Sequence, residues 1–458
     1  MRTLPWLLGL LSLLAPLPAA EICRLEVIEQ GTDWPVPGVE LRTIHGVRFV
    51  SDNAGVIALD LPELMGREVW FEVIGQGYGV KADGFGYRGV RLRPTPGKSL
   101  KVSVERTIVA RRLGRLTGAG LFAESQKLGE QLDWKESGVL GSDSVVTAEL
   151  GGKQLWFWGD TNLPHYPLGI FNVSGATTDN FQPPARPPLR PPYKYFTGRK
   201  SGHDEEHPRG VAKVPGEGPT WLWGLTTLPD ATGAPHLVGS AVKVKGVMHA
   251  YRWDLVEWNP PEEMFHPLST VWTETAERPK APPVPEGHAV PWTDAEGHKW
   301  ILFCNPFPFL RTPATYEGWK DPTKWYAINP DLVARTPPGE KITVHGGHLA
   351  WHPWSRKWLA LFTQKAGKSS FLGEIWLAEA DAPTGPWVNA RLVLSHDNYT
   401  FYNPVLHPEF FRDDSPIIHF EGTYTATFSS NKQPTPRWDY NQVLYQVDLS
   451  QPPFAKGK

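Results

Sequence analysis

Leu155-Trp156-Phe157-Trp158-Gly159-Asp160-Thr161 is an apolar, tryptophan-rich run that halts at a glycine and turns polar. It follows a shorter segment, Ser144-Val145-Val146-Thr147-Ala148, and the two together read as a hairpin. The same pattern recurs downstream: residues 210–214 lead to 221–226, 288–292 to 300–305, 348–352 to 358–364, and 404–408 to 417–422. Third strands follow in most units, at 241–244, 375–380 and 443–447. The intervals are roughly 60 to 80 residues, as expected of a repeat architecture that protects its sheet edges by radial repetition. One large sandwich is the alternative; even spacing across residues 139–458 favours an all-β, five-bladed β-propeller. Its units would begin near Ser142, Arg209, His288, His348 and Asn403.

Propeller geometry converts spacing into position. Residues before each first strand and after each second strand ring one mouth of the central channel. That mouth would receive Asp143, Arg209, His288, His348 and Asn403 from strand starts. Asp160, Asn305, Gln364 and Glu421 would arrive from second-strand ends, and Glu374 from just before a third strand. Taken singly, each reads as a hydrogen-bonded turn residue, and Asp160 could simply cap the turn after Gly159. Polar residues at matching places in five units point instead to a pocket.

Composition bears on what such a pocket takes. The chain has 458 residues with 21 Trp, 46 Pro and 44 Gly, a balance of many turns and aromatic strands. Most of the indoles belong in cores, but exposed rings also stack on the apolar faces of sugars. The net charge is −2 and neither sign clusters, so nucleic acid is not an expected partner.

Paired carboxylates in an aromatic-lined site suit glycoside hydrolysis, where one acid protonates the leaving oxygen and the other activates water or attacks the anomeric carbon. The catalytic candidates are Asp143, Asp160, Glu374 and Glu421. Asp143 is read as nucleophile or general base, and Glu374 or Glu421 as general acid. Arg209, His288, Asn305, His348, Gln364, Tyr402 and Asn403 would hold substrate, with His203 reaching in from a loop. No cofactor is implied, and a calcium ion in the channel is left open. His203-Asp204-Glu205-Glu206-His207 matches a zinc-peptidase spacing, but it lies between Gly198 and Pro208, where no helix of useful length fits.

Gly141-Ser142-Asp143-Ser144 followed by the 155–161 run resembles the opening blade of five-bladed propeller glycosidases, including the family associated with endo-D-arabinanase activity. The run from Ile375 through Gly385-Pro386-Trp387 resembles the fourth blade of arabinanase-like hydrolases, and Tyr402-Asn403-Pro404-Val405-Leu406-His407-Pro408 their last. The resemblance is patchy over about 300 residues, and the second unit offers Arg209 where an acid would be expected. It implies a carbohydrate substrate. A polysaccharide lyase, using His288, His348 or Tyr402 as base and Arg209 against a uronate, is the enzymatic alternative. A glycan-binding propeller without catalysis is the other.

Upstream, Arg2, the apolar stretch 4–14 and Leu17-Pro18-Ala19-Ala20 read as a signal peptide cleaved before Glu21, which predicts a secreted or periplasmic protein without membrane insertion. Residues 21–108 alternate in the strand period. Pro35-Val36-Pro37-Gly38-Val39-Glu40-Leu41 and Ser51-Asp52-Asn53-Ala54-Gly55-Val56-Ile57 resemble the transthyretin-like, carboxypeptidase-regulatory sandwich, an accessory module in that family. Residues 109–138 are read as a connector. Cys23 and Cys304, the two cysteines, fall in separate domains and predict no disulfide. Oligomeric state is not legible.

Overall fold

The computed structural model describes residues 22–118, 120–135, 137–199 and 206–455. Five four-stranded antiparallel sheets form the propeller. Blade 1 runs Val145–Leu150, Lys153–Trp158, Ser174–Thr178, Lys194–Tyr195 from the axis outward. Blade 2 runs Thr220–Pro229, Pro235–Lys245, His249–Asn259, Met264–Thr273. Blade 3 runs His288–Thr293, Lys299–Cys304, Pro308–Pro313, Tyr326–Ala327. Blade 4 runs Val344–His352, Lys357–Gln364, Glu374–Ala380, Val388–Ser395. Blade 5 takes Thr400–Leu406, Ile417–Thr425 and Asn441–Asp448, and completes itself with Arg111–Arg115.

The 155–158 run is apolar without alternation because both faces of a second strand are covered by neighbouring blades. Leu155 and Phe157 pack toward blade 2, against Leu222 and Leu225. Trp156 and Trp158 pack toward blade 5, against Val405 and Phe410. All four are buried. The ring closes where Asn403 Nδ2 donates to Ser144 Oγ (2.6 Å) and the Ser144 amide donates to Thr423 Oγ1 (2.9 Å).

Two details differ from the sequence reading. Residues 221–226 belong to the first strand of blade 2, not its second, and residues 241–244 belong to its second, not its third. The apolar segment 210–214 that prompts that register forms no named strand; it makes a bridge, Ala212 to Phe265, and the Val211 amide donates to the Val173 carbonyl (2.9 Å) at the seam between blades 1 and 2. Within the supposed connector, Arg111–Arg115 is the outermost strand of blade 5, paired antiparallel with Asn441–Asp448.

Ahead of the propeller, Cys23–Glu29 pairs with Ser99–Arg106, Val56–Leu59 and Trp34–Pro35 in one sheet, and Glu40–Thr43 lies between Arg48–Val50 and Val69–Ile74 in another. Both enclose a single apolar core containing Leu25, Leu41, Phe71 and Val102. Fully buried Arg112 fastens this module to blade 5. Its guanidinium donates to the carbonyls of Pro37 (3.0 Å) and Gln76 (2.6 Å) on one side and to the Tyr445 hydroxyl (2.9 Å) on the other. Asn53 adds a second fastening, with Nδ2 donating to the Arg115 and Leu189 carbonyls (2.9 and 2.8 Å) and Oδ1 accepting from the Arg115 amide (2.9 Å). Cys23 and Cys304 are both buried free thiols.

Candidate active site

Asp143 ends the approach to blade 1, and Asp160 begins the return from its second strand. Their backbones are joined, the Asp143 amide donating to the Asp160 carbonyl (3.1 Å) and the Gly159 amide to the Asp143 carbonyl (2.9 Å). This clasp sets both aspartates at the start of the blade, lining one cavity. Gly159 is required by closeness. A Cβ there would lie 2.1 Å from Asp143 Oδ1.

Asp143 Oδ2 accepts hydrogen bonds from the Tyr402 hydroxyl (2.9 Å) and the Tyr440 hydroxyl (2.8 Å). Burial pushes the Asp143 carboxyl up to about 6, and the two phenols pull it part of the way back. Burial also raises both tyrosines, so their hydroxyls stay protonated and remain donors. Asp160 Oδ1 takes one weaker bond, from Trp221 Nε1 at 3.3 Å. Burial, reinforced by the charge of Asp143, pushes Asp160 up to about 7. The pair therefore holds unequal carboxyls: one presented with two hydrogen-bond donors to its anion, the other favouring its proton.

Both carboxyls line a cavity of ≈ 330 Å³ whose walls include Trp158, Trp221, Trp223, Tyr402, Asn403 and Tyr440. Backbone strain concentrates there. Ser144, Met248, Asn403, Phe428 and Tyr440, all lining residues, adopt left-handed φ between 39° and 62° without being glycine. Such conformations cost about 1–3 kcal/mol each and gather at functional sites.

His288 forms part of the cavity's inner wall and also lines a second cavity along the channel, with His348 beyond it. The two rings lie 4.5 Å apart. Burial holds His288 well below the usual imidazole range and His348 down to about 4, so both are neutral at neutral pH. His348 Nδ1 is 2.9 Å from the Leu406 carbonyl. Neutral imidazoles among apolar walls do not make the oxygen cage a calcium ion takes. Among the described residues the one convergent cluster of potential metal ligands is Asp294, Glu296 and His298, on the first hairpin turn of blade 3 and away from the channel.

Several sequence candidates lie elsewhere. Glu374 is buried under its own loop, accepting from the Ser369 amide (2.8 Å) and hydroxyl (2.9 Å). Glu421 is buried in the seam between blades 5 and 1, ion-paired to His407 at 2.9 Å. Arg209 ties an outer loop to blade 2 through the carbonyls of Thr197 and Glu262 (both 3.0 Å). Asn305 Oδ1 accepts from the Gly347 amide (2.9 Å), joining blades 3 and 4. Gln364 ends the second strand of blade 4 and does not line the cavity. His203 lies outside the described residues. His207 sits in the short strand Glu206–Pro208, not on a helix.

Sequence reading did not select Trp221, Trp223, Tyr440 or Glu286. Tyr440 immediately precedes a third strand and Glu374 begins one, so both stand where the sequence rule looks. Trp221 and Trp223 were assigned to the wrong strand of blade 2. Glu286 stands two residues before His288, and burial pushes its carboxyl up. Its carboxylate has no hydrogen-bond or ion partner among the described residues.

No protein-family model matches the chain, and no curated protein matches it in sequence. Among solved structures, it is similar to an exo-1,5-α-L-arabinanase from a bovine ruminal metagenomic library at 12% identity, over 68% of this chain and 93% of that one, with a TM-score of 0.36. An exo-β-1,3-galactanase from Phanerochaete chrysosporium, crystallised with β-1,3-galactotriose, matches at 10% identity over 68% of this chain and 61% of that one, TM-score 0.40. An endo-1,5-α-L-arabinanase from Thermotoga petrophila matches at 11% identity over 67% and 71%, TM-score 0.35. Likeness at this distance assigns neither an activity nor a residue to this chain.

Proposed function

We propose that the protein is a glycoside hydrolase whose reaction is carried out by Asp143 and Asp160. The observation that carries this reading is the unequal carboxyl pair on the wall of an aromatic cavity. Asp143, with two phenol donors on its anion, is suited to attack the anomeric carbon or to take a proton from water. Asp160, favouring its proton near neutral pH, is suited to deliver that proton to the leaving oxygen as the glycosidic C–O bond breaks. Water supplies the hydroxyl gained by the released sugar. Glu286, two residues before the lining His288, has a carboxyl raised by burial but does not itself line the cavity, and it is the second residue to test as donor. Trp221 and Trp223 offer faces for a sugar ring. The arabinanase-like sequence motifs make arabinans and galactans the first substrates to assay.

The test is release of reducing ends from an arabinan, galactan and uronate panel. Asp143→Asn is expected to stay folded and lose turnover by about 10³-fold or more. Full activity in that variant removes the assignment. Comparing Asp160→Asn with Glu286→Gln identifies the proton donor, because loss of the donor spares substrates with good leaving groups. Products absorbing in the ultraviolet from an unsaturated end would mark a lyase instead. The leader sequence supports export with cleavage before Glu21, which N-terminal sequencing of the mature protein checks. The N-terminal module contributes no residue to the cavity lining and is read as accessory.

A further inference from the structure

The cavity that holds the carboxyl pair has an unusual rim. Val247 and Met248 form the tip of the hairpin between the second and third strands of blade 2, and they are 97% and 71% exposed. Phe171, from the loop before the third strand of blade 1, is 52% exposed, and Phe428, after the second strand of blade 5, is 60% exposed. Met248, Phe171 and Phe428 line the cavity directly. Three blades thus contribute an apolar collar to one opening. Hairpin tips ordinarily carry polar turn formers, and contiguous exposed apolar groups mark binding surfaces. Met248 and Phe428 hold left-handed φ of 58° and 62°, where long and bulky side chains are rarely found, so local backbone preference does not account for them.

Much of the polar lining is, by contrast, tied to its own neighbours. Asp143 accepts from Tyr402 and Tyr440, Asn403 Nδ2 donates to Ser144 Oγ, and Trp221 Nε1 donates to Asp160. What remains open to a sugar lies deep in the cavity: Trp158 Nε1 has no hydrogen-bond partner among the described residues, and Asp143 and Asp160 each have a second carboxyl oxygen that no side chain among them engages. A polysaccharide chain brings several hydroxyls per ring, and each one desolvated without a partner is costly. The collar offers those hydroxyls nothing. Aromatic rings alone would fit sugar stacking, but Val247 and Met248 have no ring face to offer.

Resting on the hydrolase reading, we propose that the substrate is an amphiphilic glycoside: a single sugar seated against Trp221 and Trp223, carrying an aliphatic group that lies across the collar of Met248, Phe171 and Phe428. The sugar end meets the carboxyls and the aliphatic end replaces water on the rim.

The test compares methyl and octyl glycosides of L-arabinofuranose and D-galactopyranose, kept below micelle-forming concentration, together with the matching polysaccharides. The wild type is expected to favour the octyl over the methyl glycoside by about tenfold or more in kcat/KM, through KM, given the free energy of burying methylenes. In Met248→Ser/Phe428→Ser that ratio is expected to collapse to about two or less. Equal kcat/KM for the two glycosides, or a polysaccharide preferred over both, overturns the collar proposal while the hydrolase reading stands. If no glycoside is cleaved, the hydrolase reading falls. Calorimetric titration then decides the collar separately: octyl binding lost in the double variant sustains it, and no difference between methyl and octyl rejects it.

Discussion

Asp143 and Asp160 share a backbone clasp but not an environment, and that asymmetry has a pH signature. Activity requires Asp143 ionised and Asp160 protonated. Lowering the pH through about 6 protonates the first, and raising it through about 7 strips the second. The expected profile of kcat/KM is therefore a narrow bell between those values, falling on both sides, and an unchanged rate up to strongly alkaline pH would contradict it. Gly159 supplies a steric probe of the same pair. Gly159→Ala drives a methyl into Asp143 Oδ1, so turnover is expected to fall by about 10²-fold or more while thermal unfolding stays cooperative, read by activity and circular dichroism. These two aspartates were legible because they flank the run that defines the first blade. Trp221 was not, since one apolar strand looks like another until its partner is known. Glu374 and Glu421 illustrate the converse. Both have the residue type and approximate position of a catalytic acid, yet the fold spends one on a loop and the other on a seam, and nothing in the local sequence records that choice.

Between elements, the seam joining blades 5 and 1 contains a buried cluster of one imidazole and two carboxyls. His407 Nδ1 lies 2.8 Å from Glu409 and its Nε2 lies 2.9 Å from Glu421, with Trp156 and Phe410 packed around the imidazole. Burial alone would lower His407, but the two carboxylates outweigh it and hold it up at about 10. Because the folded value lies above the unfolded one, near 6.5, this stabilisation is complete below that pH and is lost as pH rises toward about 10. His407→Gln leaves Glu421 buried without its counter-charge. Denaturant unfolding at pH 7 is expected to show a loss of about 3–5 kcal/mol, and a change below about 1 kcal/mol would mean that the seam does not depend on the ion pair. The blade-5 strand Arg111–Arg115 was illegible for a related reason. Three arginines and a glycine in five residues do not resemble a strand, and they form one only because Asn53, Tyr445 and the carbonyls of Pro37 and Gln76 take up their polar groups.

At the scale of the molecule, the propeller is closed by a strand that precedes it in the chain. Two deletions should therefore behave differently. Removing residues 21–106 leaves the closing strand present but strips Arg112 of the Pro37 and Gln76 carbonyls, so a folded protein with a lowered midpoint is expected. Removing residues 21–116 deletes the outer edge of blade 5 and is expected to abolish cooperative unfolding, as read by differential scanning calorimetry. Equal midpoints for the two would show that the strand does not hold the ring. The number of blades and their order could be read from the repeat. The closure could not, because it joins segments that no local pattern links: Arg112 and Tyr445 stand 333 positions apart. That separation also has a consequence in time. During synthesis the outermost strand of the last blade emerges first and its partner last, so it spends nearly the whole of translation as an unpaired edge. The N-terminal module, complete by then, grips Arg112 through its own carbonyls and can hold that edge in place. The carbonyls that hold Arg112 are thus made before the final strands with which its own strand pairs.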